Sequence, residues 1–580
     1  MSSSAPSGDG WITDTGASTR FPVYTRSNAN DVLPEPASPL GATLVWIPGV
    51  IEGWRDGNVR NGAFSAEELA GDPNPTCGFF NGYLYVNASV VRVFGERSGA
   101  GSDAIDAAFF GNRPDTPPHV AHPDDLSEEA AARIGDQMGW VMSATEFPDL
   151  DQSKAEADAA RADRPELSSL SDAELVAHAR SFVGAVRRFF DDHVITSSNT
   201  AVGPTVLAQV TGAVDPGLML RMIASSGDVD SALPSYAMWH LSREANASAE
   251  VTGAFDAGVG GMLDRLRAGG AEAAAWLAHF EAFLVDYGSR GPNEWDPYFD
   301  SWETRPELAL ALIDRMRGVA DDESPLLRHE RVTADRDAAT AEALAGLGDD
   351  ETAKATALAA QGSAQRFLAW RERSKTNCIK VINEIRVTML ELGRRMAAAG
   401  HLVEPKQVFM LTNDELDAFV ADRGSFRTLL NERQEAWRAL DRLEPPYFVE
   451  GDKGIPPLSS LAAKGAESFE AAQPGDVLVG APGCAGIARG IARVITDPSD
   501  PFALEPGDIL VAPQTDPAWT PLFVTAAGVV VGVGAMNSHA VTVSRELGIP
   551  CAVSVTGCAS RIPNGALVEV DGGAGTVTLL

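Results

Sequence analysis

The sequence predicts a multidomain protein: a mainly α-helical region over residues 1–470, then a small β/β/α domain over residues 475–580. Three observations predict it. At 580 residues the chain is too long for one ordinary domain. From about residue 125 to 440, apolar residues recur at helical spacing and alanine is abundant. Beyond about residue 472 that pattern gives way to short β-like runs punctuated by Gly and Pro.

Residues 1–120 are rich in Gly, Pro and Asn and carry short mixed runs (GATLVWIPGV, GYLYVNASVVRVF). They read as irregular structure with a few strands or helices packed on something larger. Ser171 and Glu174 make a capping box ahead of LVAHARSFVGAVRRFF. Helices are also expected at EAAAWLAHFEAFLVDYG and over a long run from about Thr352 to Ala399, closed by Gly400. The domain boundary falls within KGAESFEAAQPGD. After it come seven β-like runs (DVLVGAP, GIARVIT, GDILVAP, AGVVVGV, CAVSV, LVEVDGG and TVTLL), interrupted by one helix at about His539–Leu547.

The net charge is −34, with no basic face apparent, which argues against nucleic acid and anionic membranes as partners. No stretch of about 18 apolar residues occurs, and the N-terminus shows no secretory signal, so a cytoplasmic location is expected. Five cysteines without a CxxC spacing read as reduced thiols. His119 and His122 have an i, i+3 spacing but no Cys or Glu frame around them, so they read as loop histidines and no metal site is expected. Tyr83, Tyr85 and Trp46 read either as core or as the lining of an apolar pocket.

The segment around His539 has a mechanical reading. Asn537 or Ser538 can cap a helix that begins near His539, and Gly548 followed by Pro550 stops it. A helix N-terminus favours an anion such as a phosphoryl group. A neutral imidazole, with an ordinary pKa of about 6.5, is a competent nucleophile. By itself, a single histidine at a helix start is more often a satisfied surface or capping residue.

The whole stretch from about Gly475 to Leu580 resembles the swivelling phosphohistidine domain of the phosphoenolpyruvate-utilising enzymes. The matching features run in order: Gly486-Ile-Ala-Arg-Gly490, Pro506-Gly-Asp-Ile-Leu-Val-Ala-Pro513, Thr515-Asp516-Pro517-Ala-Trp519-Thr520-Pro521, Ser538-His539-Ala540 with Arg545-Glu-Leu-Gly-Ile-Pro550, and Val568-Glu-Val-Asp571-Gly572. The family's Gly-Gly before the histidine is Gly534-Ala535 here, and its Thr-Ser-His is Asn-Ser-His. The resemblance implies that His539 carries a phosphoryl group, with Ser538 beside it.

The earlier residues resemble the acceptor-binding region of rifampicin phosphotransferase and related synthases. The opening segment is Tyr24-Thr-Arg26, Asn30-Asp-Val-Leu-Pro34 and Ser38-Pro39-Leu40. Tyr287-Gly-Ser-Arg290-Gly-Pro-Asn-Glu294 follows a Tyr-Gly-His-Arg-Gly-Pro-x-Glu motif with Ser289 in place of its His, and Arg371-Glu-Arg-Ser-Lys375 follows an Arg-Glu-x-x-Lys helix motif. Arg371 and Lys375, at i and i+4, share a helix face and can grip one phosphoryl group. Two fixed cations suit phosphoryl transfer, where charge spreads over three equatorial oxygens. The other reading pairs Arg371 with Glu372 on a solvated face. Arg290 and Glu294 read either as site residues or as a buried ion pair holding a loop; Lys380 and Arg386 extend the positive stretch.

Lys154 is the only lysine in the first 350 residues, and no glycine-rich phosphate loop ending in Lys and Ser or Thr occurs. The resemblance is therefore to a split arrangement, that of the phenylphosphate and 4-methylphenyl phosphate synthases. It implies that a partner ATP-grasp subunit, using ATP and Mg, phosphorylates His539, which then passes the group to a small phenolic acceptor such as p-cresol or phenol beside Arg371 and Lys375. A split rifamycin-type antibiotic phosphotransferase and a non-catalytic phosphocarrier or regulatory protein are the alternatives.

Overall fold

The computed structural model describes residues 14–580 apart from 73, 111–112, 114, 213, 215–216, 227–228, 465–468, 497–503, 516–518 and 535–537. One helix, Glu351–Ala398, organises the region before residue 470. Its 48 residues contain no Pro, and Ala, Glu, Lys, Arg and Leu predominate. The Asp350 side chain caps it by accepting from the Ala353 N–H, and Gly400 at φ +77° follows its end. Cys378, Ile379, Ile382, Ile385, Met389 and Leu392 are buried along it, so this helix is core on most of its circumference. Around it pack Pro148–Ala162, Asp172–Ser181, Val183–Asn199 and Val202–Thr211. The Ser171–Glu174 capping box is formed, and the run it opens divides at Phe182 into two helices.

Close approach to the long helix depends on Gly393. A Cβ there would lie 2.1 Å from the carbonyl oxygen of Pro405, which is backbone and cannot turn aside. Gly393→Ala should therefore lower stability by about 1–3 kcal/mol through overpacking, although alanine is the better helix former by about 1 kcal/mol. Thermal unfolding reads the sign; an unchanged or higher midpoint contradicts this packing.

The described residues before 120 are more ordered than their composition suggests. Cys77–Phe80, Tyr83–Asn87, Val23–Thr25 and Phe448–Glu450 form a four-stranded antiparallel sheet in that order. Asn81 (φ +52°) and Gly82 (φ +81°) close the hairpin between Phe80 and Tyr83, as an Asn-Gly pair favours. Tyr83 and Tyr85 are core, their hydroxyls donating to the carbonyls of Leu440 and Pro446. GATLVWIPGV is neither strand nor loop; Gly41–Ile51 is a wide-turned π-helix that buries Trp46 against Phe79 and Trp295.

Beyond residue 470 lies an eight-stranded mixed sheet with two short edge strands. Its order is Val477–Val479, Thr576–Leu579, Leu567–Asp571, Ile487–Val494, Ile509–Ala512, Gly528–Val531, Cys551–Val553, Ala481–Cys484. The four strands from Ile487–Val494 to Cys551–Val553 run parallel. Three of them, Ile509–Ala512, Gly528–Val531 and Cys551–Val553, are apolar and buried throughout, as strands covered on both faces must be, whereas Ile487–Val494 (IARGIARV) carries two arginines and is mostly half-exposed. Helix His539–Leu547 is present and ends at Gly548 in the left-handed conformation. Two short helices that the sequence pattern did not separate from the strands, Thr520–Thr525 and Cys558–Arg561, accompany it. The fold is thus a helical region followed by a small β/α domain. Among the described residues no helix is long and apolar enough to cross a membrane.

The small domain sits against the helical one. Leu522, Phe523, Val541 and Leu547 share an apolar cluster with Met238, Trp239, Leu310 and Met316. Polar contacts among the described residues accompany it: Asn30 Nδ2 donates to Gln514 Oε1 (2.5 Å), the Ser226 N–H to Glu546 Oε1 (2.7 Å), and Arg315 pairs with Glu505 (3.5 Å).

Glu546 is fully buried in this contact, with the His329 ring 3.9 Å away. Burial raises its carboxyl from the ordinary 4.5 to about 7, opposed by the Ser226 bonds and by Arg336 and Arg545. A raised folded-state pKa means the protonated form is favoured on folding. Its contribution to stability is complete below about 4.5 and disappears as pH rises through about 7. Glu546→Gln keeps the shape and removes the proton, so the fall in melting temperature between pH 5 and 8 should become shallower. An unaltered pH profile contradicts this.

Candidate active site

His539 is the first residue of its helix. Ser538 holds the N-cap position with extended backbone (φ −68°, ψ 161°) but does not cap through its side chain. Its Oγ is buried without a hydrogen bond among the described residues. Asn537, the other capping candidate, lies outside the described residues, as do Asp516 and Pro517 of the neighbouring motif.

The half-buried imidazole is held at both nitrogens by threonines: Nε2 lies 2.9 Å from Thr520 Oγ1 and Nδ1 3.2 Å from Thr515 Oγ1. The edge of the ring meets Phe523. A neutral imidazole has one donor and one acceptor nitrogen, so one threonine accepts and the other donates. Burial first, and then the positive fields of Lys375, Arg290 and Arg371, push the His539 pKa well below its ordinary 6.5. The ring is therefore neutral near pH 7 and keeps a lone pair.

Those three cations come from two elements. Arg290 and Glu294 lie in the Gly/Pro-bearing loop after helix Ala271–Tyr287, and Arg371 and Lys375 lie one turn apart on the long helix. Arg290 and Glu294 are 3% and 1% exposed, so this carboxylate requires partners. It has two: Arg290 Nε at 3.2 Å and Lys375 Nζ at 3.5 Å. Arg290 Nη1 donates to Thr376 Oγ1, while Nη2 is buried without a hydrogen bond among the described residues. Arg371 pairs with Glu372 at 2.9 Å, and Arg373 with Asp230 at 3.3 Å.

Burial pushes the Glu372 carboxyl up, but Arg371, Lys375 and Arg290 outweigh burial and hold it below its ordinary range. Burial lowers Lys375, opposed by Glu294 and Glu372. Arg371 thus pairs with Glu372, though Glu372 is buried rather than on a solvated face, Arg290 and Glu294 form the buried pair, and the same cations also act on His539.

The structure does not bring Lys380 into this group, a correction to the sequence reading; its Nζ is 2.5 Å from Asp158 on helix Pro148–Ala162. Being five residues beyond Lys375, it lies on another face of the helix. Arg386 is a support: it donates to the carbonyls of Glu294 and Asp296 and so fixes the loop that carries Arg290.

His193 is a site neighbour the sequence did not single out. Its Nδ1 lies 3.0 Å from Ser374 Oγ and its ring packs against Phe190 and Trp295. Burial, Arg371 and Lys375 push its pKa to about 3. A lone helical histidine carries no pattern that would have found it. Thr515 and Thr520 belong to one of the matching motifs, but nothing in the sequence marks their contact with His539. His119 meets Asp125, His122 accepts from the Asp124 N–H, and among the described residues no group of side chains could hold a metal.

A neutral ring nitrogen at a helix N-terminus, close to three fixed cations, is an arrangement suited to moving a phosphoryl group.

Comparison with known proteins gives matches to two family models. Residues 192–372 match the family described as the rifampicin phosphotransferase fourth domain, and residues 504–575 match the mobile domain of PEP-utilising enzymes. Uncharacterised proteins of Mycobacterium tuberculosis and Mycobacterium bovis are 29% identical over 99% of this chain, which spans 63% of their length. A rifampicin phosphotransferase of Streptomyces sviceus is 32% identical over 52% of this chain and 34% of its own length. One from Bacillus subtilis is 27% identical over 51% and 34%. The first matched segment contains His193, Arg290, Glu294 and Arg371; the second contains Thr515, Thr520 and His539.

Proposed function

We propose, from its similarity to the rifampicin phosphotransferase fourth domain and to the mobile domain of PEP-utilising enzymes, that this chain is a phosphotransferase in which His539 carries the phosphoryl group to a hydroxyl acceptor. The observation that carries the reading is the field of Lys375, Arg290 and Arg371 at His539, produced by residues some 160 to 250 positions away in sequence. With the phosphoryl group on Nε2, the Thr520 hydroxyl turns to donate to a phosphoryl oxygen and Nδ1–H donates to Thr515. The free Arg290 Nη2 and the Lys375 ammonium take the other oxygens. Transfer then breaks the N–P bond while these cations stabilise the spread charge.

The donor half is assigned to a partner ATP-grasp subunit using ATP and Mg, with AMP and phosphate released; no step on this chain runs through the metal. The acceptor is assigned as a small phenol such as p-cresol or phenol, in the manner of the phenol-phosphorylating synthases. A rifamycin acceptor is the second reading, supported by the match of residues 192–372 to the rifampicin phosphotransferase fourth domain. Presenting p-cresol and rifamycin separately to the phosphorylated chain decides between them: the true acceptor appears as its phosphate ester. Discharge to neither, with His539 stably phosphorylated, would leave the phosphocarrier reading instead.

A further inference from the structure

We propose that Asp31 is the general base that removes the proton from the acceptor hydroxyl; the assignment rests on the phosphotransfer reading above. Every hydroxyl acceptor must lose a proton as its oxygen attacks phosphorus, and the residues named so far supply no base. The other acids of the site are committed to cations: Glu294 to Arg290 and Lys375, Glu372 to Arg371, and Asp230 to Arg373. Asp31 differs from them. It is half-buried and makes no hydrogen bond or ion pair among the described residues.

Its placement is fixed by its neighbours. Arg26 donates to the carbonyls of Leu33, Pro34 and Leu84 and to Asn30 Oδ1, which pins the short helix Ser27–Val32 that carries Asp31. Asn30 in turn donates to Gln514, and the next residue, Thr515, holds His539 Nδ1. Seating the small domain thus joins the His539 loop to the Asp31 helix.

The charged and titratable groups facing Asp31 are Arg371 and Lys375 from the long helix, Arg26 from its own segment, and Tyr447 from the stretch before strand Phe448–Glu450. Burial raises its carboxyl and those cations restrain the rise, which leaves it at about 7. A base with a pKa near the working pH is the effective kind. His193, the other unprotonated group nearby, is held at about 3 and its Nδ1 is engaged by Ser374, so it is a poor proton acceptor.

The step balances. The acceptor oxygen forms the O–P bond, and the N–P bond at His539 breaks with its electron pair returning to the ring nitrogen. The hydroxyl proton passes to the Asp31 carboxylate and then to solvent.

The test uses the full chain, phosphorylated chemically with phosphoramidate, and follows discharge onto p-cresol or rifamycin in a single turnover, per phosphorylated His539. Wild type should discharge faster as pH rises through about 7. Asp31→Asn should be slower by about 100-fold or more at pH 8, the scale of general-base catalysis, and should lack that limb. Asp31→Glu should recover part of both. With 4-nitrophenol, largely ionised at pH 8, the gap between wild type and Asp31→Asn should close, which a merely structural defect would not produce. An Asp31→Asn chain that discharges at the wild-type rate with the wild-type pH profile overturns the assignment alone. A phosphorylated wild type that discharges to no acceptor overturns the phosphotransfer reading and the assignment together.

Discussion

His539→Ala is expected to abolish phosphoryl transfer rather than slow it. The proposed reaction runs through a covalent intermediate, and among the described residues no other group in the site is fit to replace the lost nitrogen. His193 is neutral, but its ring is enclosed by Phe190, Trp295 and Ser374. The five cysteines are all buried, and burial pushes their thiols up, so none offers a thiolate. Among the described residues, neither Thr515 nor Thr520 has another base hydrogen-bonded to it once the imidazole is gone. Formation of phosphorylated acceptor, measured by mass spectrometry, should fall to the uncatalysed background. Residual turnover at even a hundredth of the wild-type rate would mean that phosphorus reaches the acceptor without this histidine.

Lys375→Met carries the second-largest effect. Of the three cations acting on His539, Lys375 lowers its pKa most, and its side chain is only 13% exposed, so its charge is weakly screened. Removing one preorganised charge from such a site costs about 10²–10³ in rate, or about 2.7–4 kcal/mol. Methionine preserves the length of the stem and most of its packing. The loss should appear in single-turnover discharge of phosphorylated His539 under saturating acceptor, not only in the acceptor concentration required. Glu294 would keep Arg290 as its sole ion-pair partner among the described residues, so a fall in melting temperature is also expected. A normal discharge rate would remove Lys375 from the site.

Much of this was legible in the sequence because the strongest signals are local. The capping box at Ser171, the Pro-free run that became Glu351–Ala398, and the Gly548-Ile-Pro550 stop each dictate backbone within a few residues. The i, i+4 spacing of Arg371 and Lys375 put both on one face before any coordinates. What stayed hidden depends on distant packing. Which carboxylates pair with which cations is set by the loop after Tyr287 meeting the long helix, and that left Lys380 facing Asp158 instead of His539. The approach of Asn30 to Gln514 joins residues 484 positions apart and has no periodic trace. The one local signal that went unread was Asn81-Gly82, whose two left-handed residues specify the hairpin of the N-terminal sheet. GATLVWIPGV was ambiguous for a physical reason: a buried apolar run has no periodicity to separate helix from strand.

The most direct measurement is the intact mass of the chain, wild type and His539→Ala, after incubation with ATP and an ATP-grasp partner and in parallel with phosphoramidate. The expected result is an acid-labile gain of one phosphoryl group in wild type, absent from the variant, and reversed when p-cresol or rifamycin is added. Phosphorylation of His539→Ala to the same extent as wild type would contradict the central claim.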